Sequence, residues 1–471
     1  MAMSQAANLL EKALGHGDNA VTEQDMTNPS RDRAKYGDPS ETMKALAWMG
    51  KNDVQMSPFS IPFDLPFMPH ANIMSLVECP KPKILEDRDV ILKVTGSTIC
   101  GSDLHLYHGA VVELQKGDIL GHEFCGKIDS MGPGVKGLEV GQRVVASFQI
   151  ACGECMYCKK KLSSQCERTN SNTIENAMYG GRTAGMFGYS HFTGGFAGGQ
   201  AEYVRVPYAD VNLLKLPDDV PDEKGLYLSD VLATSWNCVV DTGVKEGDVV
   251  AIWGAGPIGE MCAEMSFTNG ASRVIMIDGG NGAWRLDFCK EKMPKLELLN
   301  YTDLPSGTSV TSRLKEMEHG GPDVALECVA GEYAKSWAHR FELMTGAETD
   351  TSEIVNEMIT SVKNYGRCGI TGVYVGFTNH FNIGSLMERG IRLIGNGQAP
   401  VHLYWEQLLQ MIREGKTDPY KMLTHRCKVE EMDEIYKIFN ERGDKMQKIF
   451  VQTRFSDPPA PGSPALKSFK S

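Results

Sequence analysis

Four cysteines lie close together in the chain, at spacings of three, three and eight residues: Cys152, Cys155, Cys158 and Cys166. Four thiolates on one short segment can complete a tetrahedral shell around Zn²⁺, and a closed shell leaves no position for a substrate. Disulfides are the alternative, but a CxxC pair makes a strained bridge. The spacing therefore predicts a structural zinc lobe.

A thiol, a hydroxyl, a carboxylate and an imidazole occur within one six-residue stretch, at Cys100, Ser102, Asp103 and His105. A second imidazole and a second carboxylate follow at His122 and Glu123. Side chains of these types bind zinc and transfer protons. Spacing alone does not decide their role, because a single cysteine in an apolar stretch usually belongs to a core and a single histidine usually makes a hydrogen bond. Both interpretations stay open at this point.

A glycine-rich turn follows the apolar run Val249–Trp253 and reads Gly254-Ala255-Gly256-Pro257-Ile258-Gly259. The apolar run predicts a buried strand, and the spacing from Ile258 to Asn269 predicts a helix. In this context the first glycine permits the tight turn, the second lets the backbone approach a pyrophosphate, and the third lets helix and strand pack closely. The helix N-terminus adds N–H groups for the phosphates. The turn is therefore predicted to bind a dinucleotide through Gly254, Gly256, Pro257, Ile258 and Gly259.

An acidic residue, Asp278, ends the next predicted strand, 19 residues after Gly259. A carboxylate there accepts the ribose hydroxyls of adenosine and repels a 2′-phosphate, so the sequence predicts NAD rather than NADP. Arg285 weakens this preference, because an arginine near the ribose can hold a 2′-phosphate. A glycine turn with a capping aspartate is the alternative, but strand, loop, helix, strand and acid in this order favour the cofactor site.

The elements that must position these residues follow two patterns. From Asp89 to Tyr208, short apolar runs broken by glycines are typical of a β-rich, loop-rich domain. After Gly247, apolar strands alternate with helices, which predicts an α/β fold with a doubly wound parallel sheet. Further strands or helices are predicted at 322–329, 367–372, 405–413, 430–440 and 448–452.

The pattern predicts five segments: a flexible tail (1–42), a catalytic domain with the zinc lobe (43–230), a Rossmann dinucleotide-binding domain (231–381), a return to the catalytic domain (382–455) and a second flexible tail (456–471). The last segment reads SDPPAPGSPALKSFKS, which is too rich in proline and serine to predict packing.

The overall composition argues against several classes of protein. The formal net charge is −12, so no global basic field is predicted to hold nucleic acid. No apolar run reaches the roughly 18 residues that a membrane span needs. The N-terminal residues show neither the apolar region of a secretory signal nor the Arg-rich bias of a transit peptide. With 13 cysteines in such a chain, reduced thiols and a cytoplasmic location are expected.

The order of these motifs resembles that of the zinc-containing medium-chain alcohol dehydrogenases, from about Met43 to Gln452. Two segments are most similar to the glutathione-independent formaldehyde dehydrogenases within that superfamily, namely Gly198–Leu216 and Tyr227–Thr234. The resemblance implies a GroES-like catalytic domain beside the Rossmann domain. It also implies one catalytic zinc, one structural zinc and NAD as cofactors.

The resemblance assigns the metal ligands residue by residue. Cys100 and His122 are the first two ligands of the catalytic zinc. The third position, a cysteine in many alcohol dehydrogenases, is occupied here by Asp230, as in the formaldehyde dehydrogenase branch. Asp103 orients His122 from outside the ligand shell. Glu123 lies near the zinc and can exchange with solvent there.

The resemblance also implies a proton relay and a reaction. Ser102 takes the proton of the substrate hydroxyl, which passes by the cofactor ribose to His105. Zinc polarises the substrate oxygen so that an alkoxide forms near neutral pH, and hydride moves to the nicotinamide. The expected substrate is a small alcohol or a hydrated aldehyde. The most specific form of this hypothesis is formaldehyde dehydrogenase or dismutase activity.

Other functions remain alternatives. A polyol dehydrogenase of the sorbitol type also replaces the third cysteine ligand. A zinc-free quinone reductase is disfavoured, because it needs neither the ligand set nor the cysteine lobe. A catalytically silent nucleotide-binding redox sensor on the same fold predicts decay of the ligands, which are intact. The enzyme is further expected to act on a small molecule and to form a homo-oligomer, either a dimer or a tetramer.

An insertion, roughly Tyr333–Thr351, separates two predicted strands of the dinucleotide domain. The formaldehyde dehydrogenase branch carries an insertion at this place, which covers the bound cofactor. The sequence therefore predicts a segment that folds over the adenosine, with Trp337 and Phe341 as apolar anchors. A decorative surface loop is the alternative.

Overall fold

The computed structural model describes residues 37–469, except 51–52, 57–77, 330–349 and the single positions 110, 112, 116, 375 and 377. The chain forms two compact units. Unit 1 contains the described residues up to Ser229, Val401–Glu406 and those from Leu423 onward. Unit 2 contains Asp230–Pro400 and Gln407–Met422.

The first part of unit 1 consists of short strands with few helices. The strands are β1 (Gly37–Lys44), β2 (Leu46–Gly50), β3 (Asp53–Met56), β4 (Glu78–Pro82), β5 (Val90–Ser97), β6 (Phe124–Met131), β7 (Arg143–Ala146), β8 (Gln149–Ile150), β9 (Gly185–Met186), β10 (Tyr203–Val206) and β11 (Leu213–Lys215). The helices are α1 (Gly101–Tyr107), α2 (Met156–Lys159), α3 (Thr173–Tyr179), α4 (Ala209–Asn212) and α5 (Asp222–Gly225).

Strand β5 lies at the centre of unit 1. It pairs antiparallel with β6 and with β10. Val90, Leu92 and Val94 contribute to one apolar cluster, whereas Ile91 contributes to another. Because successive side chains of a strand point to opposite faces, β5 is buried on both faces. The sequence predicted this strand at Asp89–Thr95.

Unit 2 contains a six-stranded, all-parallel sheet in the order β14-β13-β12-β15-β16-β17. Its strands are β12 (Val249–Trp253), β13 (Arg273–Asp278), β14 (Glu297–Asn300), β15 (Val324–Glu327), β16 (Arg367–Ile370) and β17 (Arg392–Gly395). In chain order within the unit this is the 3-2-1-4-5-6 arrangement of the dinucleotide-binding fold. The order reverses between β12 and β15, and ligands of such sheets bind at that point.

Helices connect the strands of this sheet. They are α6 (Val231–Asp241), α7 (Pro257–Thr268), α8 (Trp284–Lys292), α9 (Val310–Met317), α10 (Glu353–Ser361) and α11 (Ile383–Glu388). All five residues of β12 are buried, as expected for a central parallel strand covered on both faces. The alternation of strands and helices predicted from the sequence is therefore confirmed.

The chain returns to unit 1 after α12 (Val401–Arg413) with β18 (Leu423–Lys428), α13 (Met432–Asn440) and β19 (Lys448–Gln452). Strand β19 lies between β18 and β5, which completes a sheet of seven strands. Helix α13 buries Met432, Ile435, Tyr436 and Phe439, the i, i+3, i+4, i+7 spacing of an amphipathic helix.

The segment after residue 455, predicted as a free tail, is instead attached to unit 1, which corrects that prediction. The carbonyl of Asp457 accepts a hydrogen bond from the Arg426 guanidinium, and Lys467 N–H donates to the Arg426 carbonyl. The Ser468 hydroxyl donates to Glu431 at 2.6 Å. Main-chain groups satisfied by partners distant in sequence allow a proline-rich segment to pack without an apolar pattern.

Two further boundaries differ from the sequence pattern. The last strand of the parallel sheet, β17, lies beyond residue 381, where that domain was predicted to end, and pairs in register with β16. Strand β1 begins at Gly37, within the predicted N-terminal tail, and pairs with β4. The insertion lies outside the described residues apart from Asp350 and Thr351. Among the described residues, no helix combines the length and apolar character needed to cross a membrane.

Candidate metal and dinucleotide sites

Two paired strands bring the first two predicted zinc ligands together. The end of β5 lies opposite the start of β6, with Ser97 paired to Phe124. Cys100 follows β5 as the residue that caps α1, and His122 precedes β6. Residues 22 apart in sequence therefore reach one place because the antiparallel ladder fixes the register.

The third predicted ligand is positioned by its neighbour in the chain. The Ser229 carbonyl accepts the Phe148 N–H at 3.1 Å, and the Ser229 hydroxyl donates to the Leu226 carbonyl at 2.6 Å. Asp230 comes next, and its carboxylate accepts a hydrogen bond from the Thr234 hydroxyl. Ligand atoms of this aspartate and of three other residues lie within 4.8 Å of one another: Cys100, His122, Glu123 and Asp230.

The imidazole of His122 is oriented by a carboxylate. Its Nδ1 lies 3.3 Å from Asp103 Oδ1, and its Nε2 lies 3.8 Å from Glu123 Oε1. The other oxygen of Asp103 accepts the Cys100 N–H at 2.8 Å and the Gln200 side-chain amide at 3.3 Å. The contact on Nδ1 leaves Nε2 as the nitrogen that faces the other ligands.

A hydrogen-bond chain extends this support to the C-terminal part of unit 1. The Tyr436 hydroxyl donates to the Gln200 side-chain carbonyl at 2.8 Å, and the Gln200 amide also donates to the Thr98 carbonyl at 3.0 Å. Burial raises the pKa of Tyr436, so its hydroxyl stays protonated and donates. The orientation of the aspartate behind His122 thus depends on residues from three distant parts of the sequence.

Glu123 forms a buried ion pair. Its Oε1 accepts from Lys448 Nζ at 2.5 Å, and each side chain is 1% exposed. Lys448 Nζ also donates to the Ile99 carbonyl at 3.3 Å. A carboxylate neutralised by a buried ammonium is a weak competitor for a metal, because the ammonium already compensates its charge.

The predicted relay residues share one helix. Ser102 and His105 are three positions apart in α1, which places them on the same face, and both are half-buried. A hydrogen bond joins Ser102 to Tyr189, whose ring lies 5.1 Å from the His122 ring. Desolvation raises the pKa of Tyr189, which keeps its hydroxyl protonated beside the ligands.

The four cysteines of the predicted lobe converge, with their sulfur atoms within 4.8 Å of one another: Cys152, Cys155, Cys158 and Cys166. The Cys152 and Cys158 sulfur atoms are 3.9 Å apart. Backbone N–H groups also point at the sulfurs, including that of Cys155 toward Cys152 at 3.4 Å and that of Cys158 toward Cys155 at 3.5 Å. None of the 13 cysteines forms a disulfide.

The surroundings of the lobe favour the thiolate form of Cys152, whereas hydrogen bonds with Cys152 raise the pKa of Cys158 and of Cys166. Hydrogen bonds from Cys158 and Cys166 lower the pKa of Cys152. Arg168 lies close enough that the Cys152 thiolate raises the pKa of its guanidinium. Arg168 also pairs with Glu154 at 3.1 Å. Four thiol ligands in this arrangement fit a tetrahedral Zn²⁺ with no open position.

Two of the three glycines of the dinucleotide turn occupy positions that exclude a side chain, and the third faces open space. Gly254 has φ +104°, and a Cβ there would lie 2.9 Å from the Cys328 carbonyl oxygen. A Cβ on Gly259 would lie 1.9 Å from the Gly254 carbonyl oxygen, which excludes a side chain. Gly256 faces open space, with no atom within 4 Å of a Cβ. This opening, at the start of α7, fits the approach of a pyrophosphate to the backbone.

The acidic residue that ends β13 is held beside the turn. Asp278 Oδ2 accepts the Ala255 N–H at 2.8 Å, and Oδ1 accepts the Gly279 N–H at 2.7 Å. The guanidinium of Arg285 lies 5.5 Å from the centre of the Trp284 ring. The carboxylate therefore stands at the edge of the turn, where it fits a ribose.

Comparisons with known proteins agree with this architecture. The family described as "Alcohol dehydrogenase GroES-like domain" matches residues 86–218. A zinc-type alcohol dehydrogenase-like protein of Schizosaccharomyces pombe is 35% identical, over 94% of this chain and 97% of its own length. The chain belongs to the zinc-type medium-chain alcohol dehydrogenases.

Other members of the family extend this result. A formaldehyde dismutase of Pseudomonas putida is 33% identical, over 69% of this chain and 79% of its own. The structure of alcohol dehydrogenase TADH from Thermus sp. ATN1 has a TM-score of 0.68 at 28% identity, over 88% of this chain and 100% of that one. The predicted fold class, a GroES-like domain plus a Rossmann domain, is confirmed. As a zinc-type alcohol dehydrogenase, the protein is an oxidoreductase that uses zinc and NAD.

Sequence reasoning missed several supporting residues of this alcohol dehydrogenase. Gln200, Tyr436 and Lys448 surround the ligands although they are far from them in sequence. Tyr189 and Thr234 contact ligand or relay residues directly. Nothing in the local pattern marks a glutamine or a lysine for such a role. The one available hint to their role is that glutamine and lysine are seldom buried, whereas Gln200 and Lys448 are.

Proposed function

We propose that this protein oxidises a small primary alcohol or a hydrated aldehyde with NAD⁺, and that its catalytic zinc is bound by Cys100, His122 and Asp230. The observation that carries the proposal is the convergence of a thiol, an imidazole and a carboxylate within 4.8 Å. Three protein ligands of these types leave a fourth position for the substrate oxygen. Similarity to proteins named formaldehyde dehydrogenase and formaldehyde dismutase supports a small carbonyl or hydroxyl substrate.

The protein residues have separable roles in this proposal. Zinc, when bound, lowers the pKa of the substrate hydroxyl, and NAD accepts the hydride. Asp103 keeps Nδ1 of His122 engaged, so that Nε2 is presented to the metal. Lys448 keeps Glu123 neutralised, which leaves Asp230 as the carboxylate ligand.

The proton of the substrate hydroxyl is proposed to leave along α1. Ser102 Oγ accepts it, because this hydroxyl lies on the same short helix that Cys100 caps. His105, one turn further on the same face, is the terminal acceptor, because an imidazole can take up a proton and pass it to solvent. Tyr189 fixes the direction of the Ser102 hydroxyl through its own hydrogen bond.

The ribose pocket is proposed to select NAD over NADP. Asp278 supplies a negative charge at the edge of the turn, and Arg285 stacks on Trp284. A 2′-phosphate placed at Asp278 meets like charge, whereas ribose hydroxyls meet a hydrogen-bond acceptor.

The deciding experiment measures zinc content and turnover of the wild type and of Asp230→Asn. The wild type should contain two zincs per chain and reduce NAD⁺ with a short alcohol or with formaldehyde, without glutathione. Asp230→Asn should contain one zinc and lose at least about 10–100-fold in turnover while it still binds NADH. Thr234→Val, which removes only the hydrogen bond to Asp230, is the milder matched variant.

Two results would contradict the proposal. Wild-type turnover in Asp230→Asn would assign the third ligand to Glu123. Turnover with sorbitol-type polyols but not with short alcohols or formaldehyde would assign the protein to the polyol branch.

A further inference from the structure

A second set of cysteines converges in unit 2, away from the zinc lobe in sequence. Cys238 lies in α6, Cys262 lies in α7, and Cys328 directly follows β15. Their three sulfur atoms lie within 4.8 Å of one another, and those of Cys262 and Cys328 are 3.9 Å apart. Residues from three separate elements have thus been placed in one thiol cluster, which we call the Cys238 cluster.

The backbone holds the elements of this cluster in place. The Cys328 N–H donates to the Trp253 carbonyl at 2.9 Å, which ties the end of β15 to the end of β12. The Cys262 thiol lies 3.6 Å from the Ser235 carbonyl oxygen, and the Ser235 hydroxyl donates to the Ile258 carbonyl at 3.2 Å. The three sulfurs therefore sit on a rigid frame, as a metal site requires.

These thiols differ from the isolated cysteines of the same unit. Cys289 and Cys368 are buried singly, and desolvation raises the pKa of each. In the cluster, each thiol instead has two others close to it, since the three sulfur atoms lie within 4.8 Å of one another. A thiolate is the form of cysteine that binds metals.

The spacing of the cluster matches that of the zinc lobe. Cys262 and Cys328 are separated by 3.9 Å, as are Cys152 and Cys158. Two thiolates bound to one ion at about 2.3 Å are themselves separated by nearly 4 Å. The sulfur atoms are therefore far enough apart to share an ion and are not joined to one another.

The ligand set limits which ion fits. The group contains three sulfurs, and among the described residues no histidine or carboxylate completes it. Structural zinc almost always takes four ligands. Sulfur ligands select soft ions such as Cu(I). We propose that Cys238, Cys262 and Cys328 form a third metal site, which binds one Cu(I) ion through its three sulfurs. The ion replaces thiol protons, which pass to solvent, and no sulfur is oxidised.

The position of the cluster connects it to the dinucleotide turn. The Cys328 carbonyl oxygen is the atom that a Cβ on Gly254 would approach to 2.9 Å. Cys262 lies on α7, the helix that the turn opens. An ion that joins α6, α7 and the end of β15 should therefore make the turn more rigid. Unit 2 should then unfold at a higher temperature, and the affinity for NADH should change.

The test uses full-length, zinc-loaded protein titrated anaerobically with Cu(I) against a competing chromophoric chelator. The wild type should bind one Cu(I) per chain, develop thiolate-to-Cu(I) absorption in the ultraviolet and retain both zincs. Cys328→Ser should lose at least tenfold in Cu(I) affinity. Cys289→Ser, a buried cysteine of the same unit outside the cluster, should bind Cu(I) like the wild type.

Three results would overturn the proposal. One is wild-type Cu(I) affinity in Cys328→Ser. Another is zinc release in proportion to Cu(I) uptake, which places the ion in the lobe. The third is a Cys262–Cys328 disulfide formed with hydrogen peroxide in protein that binds no Cu(I), which makes the cluster a redox pair. Far-ultraviolet circular dichroism of each variant checks that it is folded.

Discussion

At the residue scale, the buried ion pair of Lys448 and Glu123 matters both for stability and for the metal site. Each side chain is 1% exposed, and their charged atoms are 2.5 Å apart. A buried pair of this kind contributes little compared with an apolar pair, but removing one partner leaves an uncompensated charge. Here that charge lies beside His122, so its loss should affect both the fold and the metal.

We expect Lys448→Met to lower the free energy of unfolding by about 3–5 kcal/mol, the usual cost of breaking a buried pair. The freed Glu123 carboxylate should also compete for the zinc, so that turnover falls. Thermal unfolding and metal analysis of the purified variant measure the two effects. The double variant Lys448→Met/Glu123→Gln should recover most of the stability, and a double variant no more stable than the single one would contradict this account.

His402 provides a pH-dependent contribution at the same scale. Desolvation, assisted by the charge of Lys161, lowers the pKa of His402 to about 4, and its ring packs 4.6 Å from that of Trp405. The folded state therefore keeps this imidazole neutral when the unfolded state, with a pKa near 6.5, already binds a proton. Stability is unaffected above pH 6.5 and decreases as the pH falls from 6.5 toward 4, with a limiting slope of about 1.4 kcal/mol per pH unit.

We expect His402→Phe to lose less thermal stability than the wild type when the pH is lowered from 7 to 5. The phenyl ring keeps the packing on Trp405 but has no proton to bind. Melting temperatures at matched ionic strength measure the difference. Parallel pH profiles for the two proteins would show that His402 does not titrate on unfolding in this range.

At the scale of elements, the cysteine lobe has little apolar core of its own, so we expect it to depend on a bound zinc. The four cysteines lie on α2, a four-residue helix, and on the irregular segments around it. Its buried core contains three cysteines and Ala184. Such a segment cannot bury enough apolar surface to fold by itself, and structural zinc supplies about 10–16 kcal/mol in small peptide models.

We expect Cys155→Ser to lose the structural zinc and to unfold or aggregate the lobe. Zinc analysis should give one zinc per chain, and limited proteolysis should cut first near residues 153–168. Glu154→Gln, on the exposed side of the same segment, is the matched control and should keep two zincs. A folded, protease-resistant Cys155→Ser protein with full activity would mean that the lobe does not need the metal.

At the scale of the whole molecule, the parallel sheet of unit 2 ends in a strand without a described partner on its outer side. Strand β17 occupies one end of the order, and two of its four residues are exposed. Near it in sequence, Ile383 is 60% exposed and Met387 is 67% exposed, both on α11. An edge strand beside an apolar helix is suited to pairing with a second copy of the same chain.

We therefore expect a homo-oligomer built on this edge. Light scattering coupled to size exclusion should give at least a dimer for the wild type. Ile383→Glu/Met387→Glu should weaken association at least tenfold, because charges buried in an interface must be desolvated. Val140→Glu, which replaces an apolar residue 63% exposed in unit 1, is the control. A monomeric wild type would refute this expectation.

Local pattern was sufficient for much of the fold. The strand Val249–Trp253 and the strand Lys448–Gln452 were predicted with the bounds that the structure shows. Both are apolar runs bounded by polar residues or glycines, and burial in a sheet requires that pattern. The glycines at 254 and 259 also followed from the sequence, because each answers a steric demand of a few neighbouring atoms.

What only the tertiary structure decided was the contact between residues distant in the chain. The sequence could not show that Lys448 pairs with Glu123, since a lysine beside apolar residues in a strand has no local mark of its partner. Nor could it show that three isolated cysteines form the Cys238 cluster, because their separations in sequence follow no ligand spacing. The sequence also could not show that the segment after residue 455 is attached to unit 1. Neighbouring residues determine local steric and hydrophobic preferences. Contacts between side chains distant in the sequence depend instead on where the folded backbone brings them together.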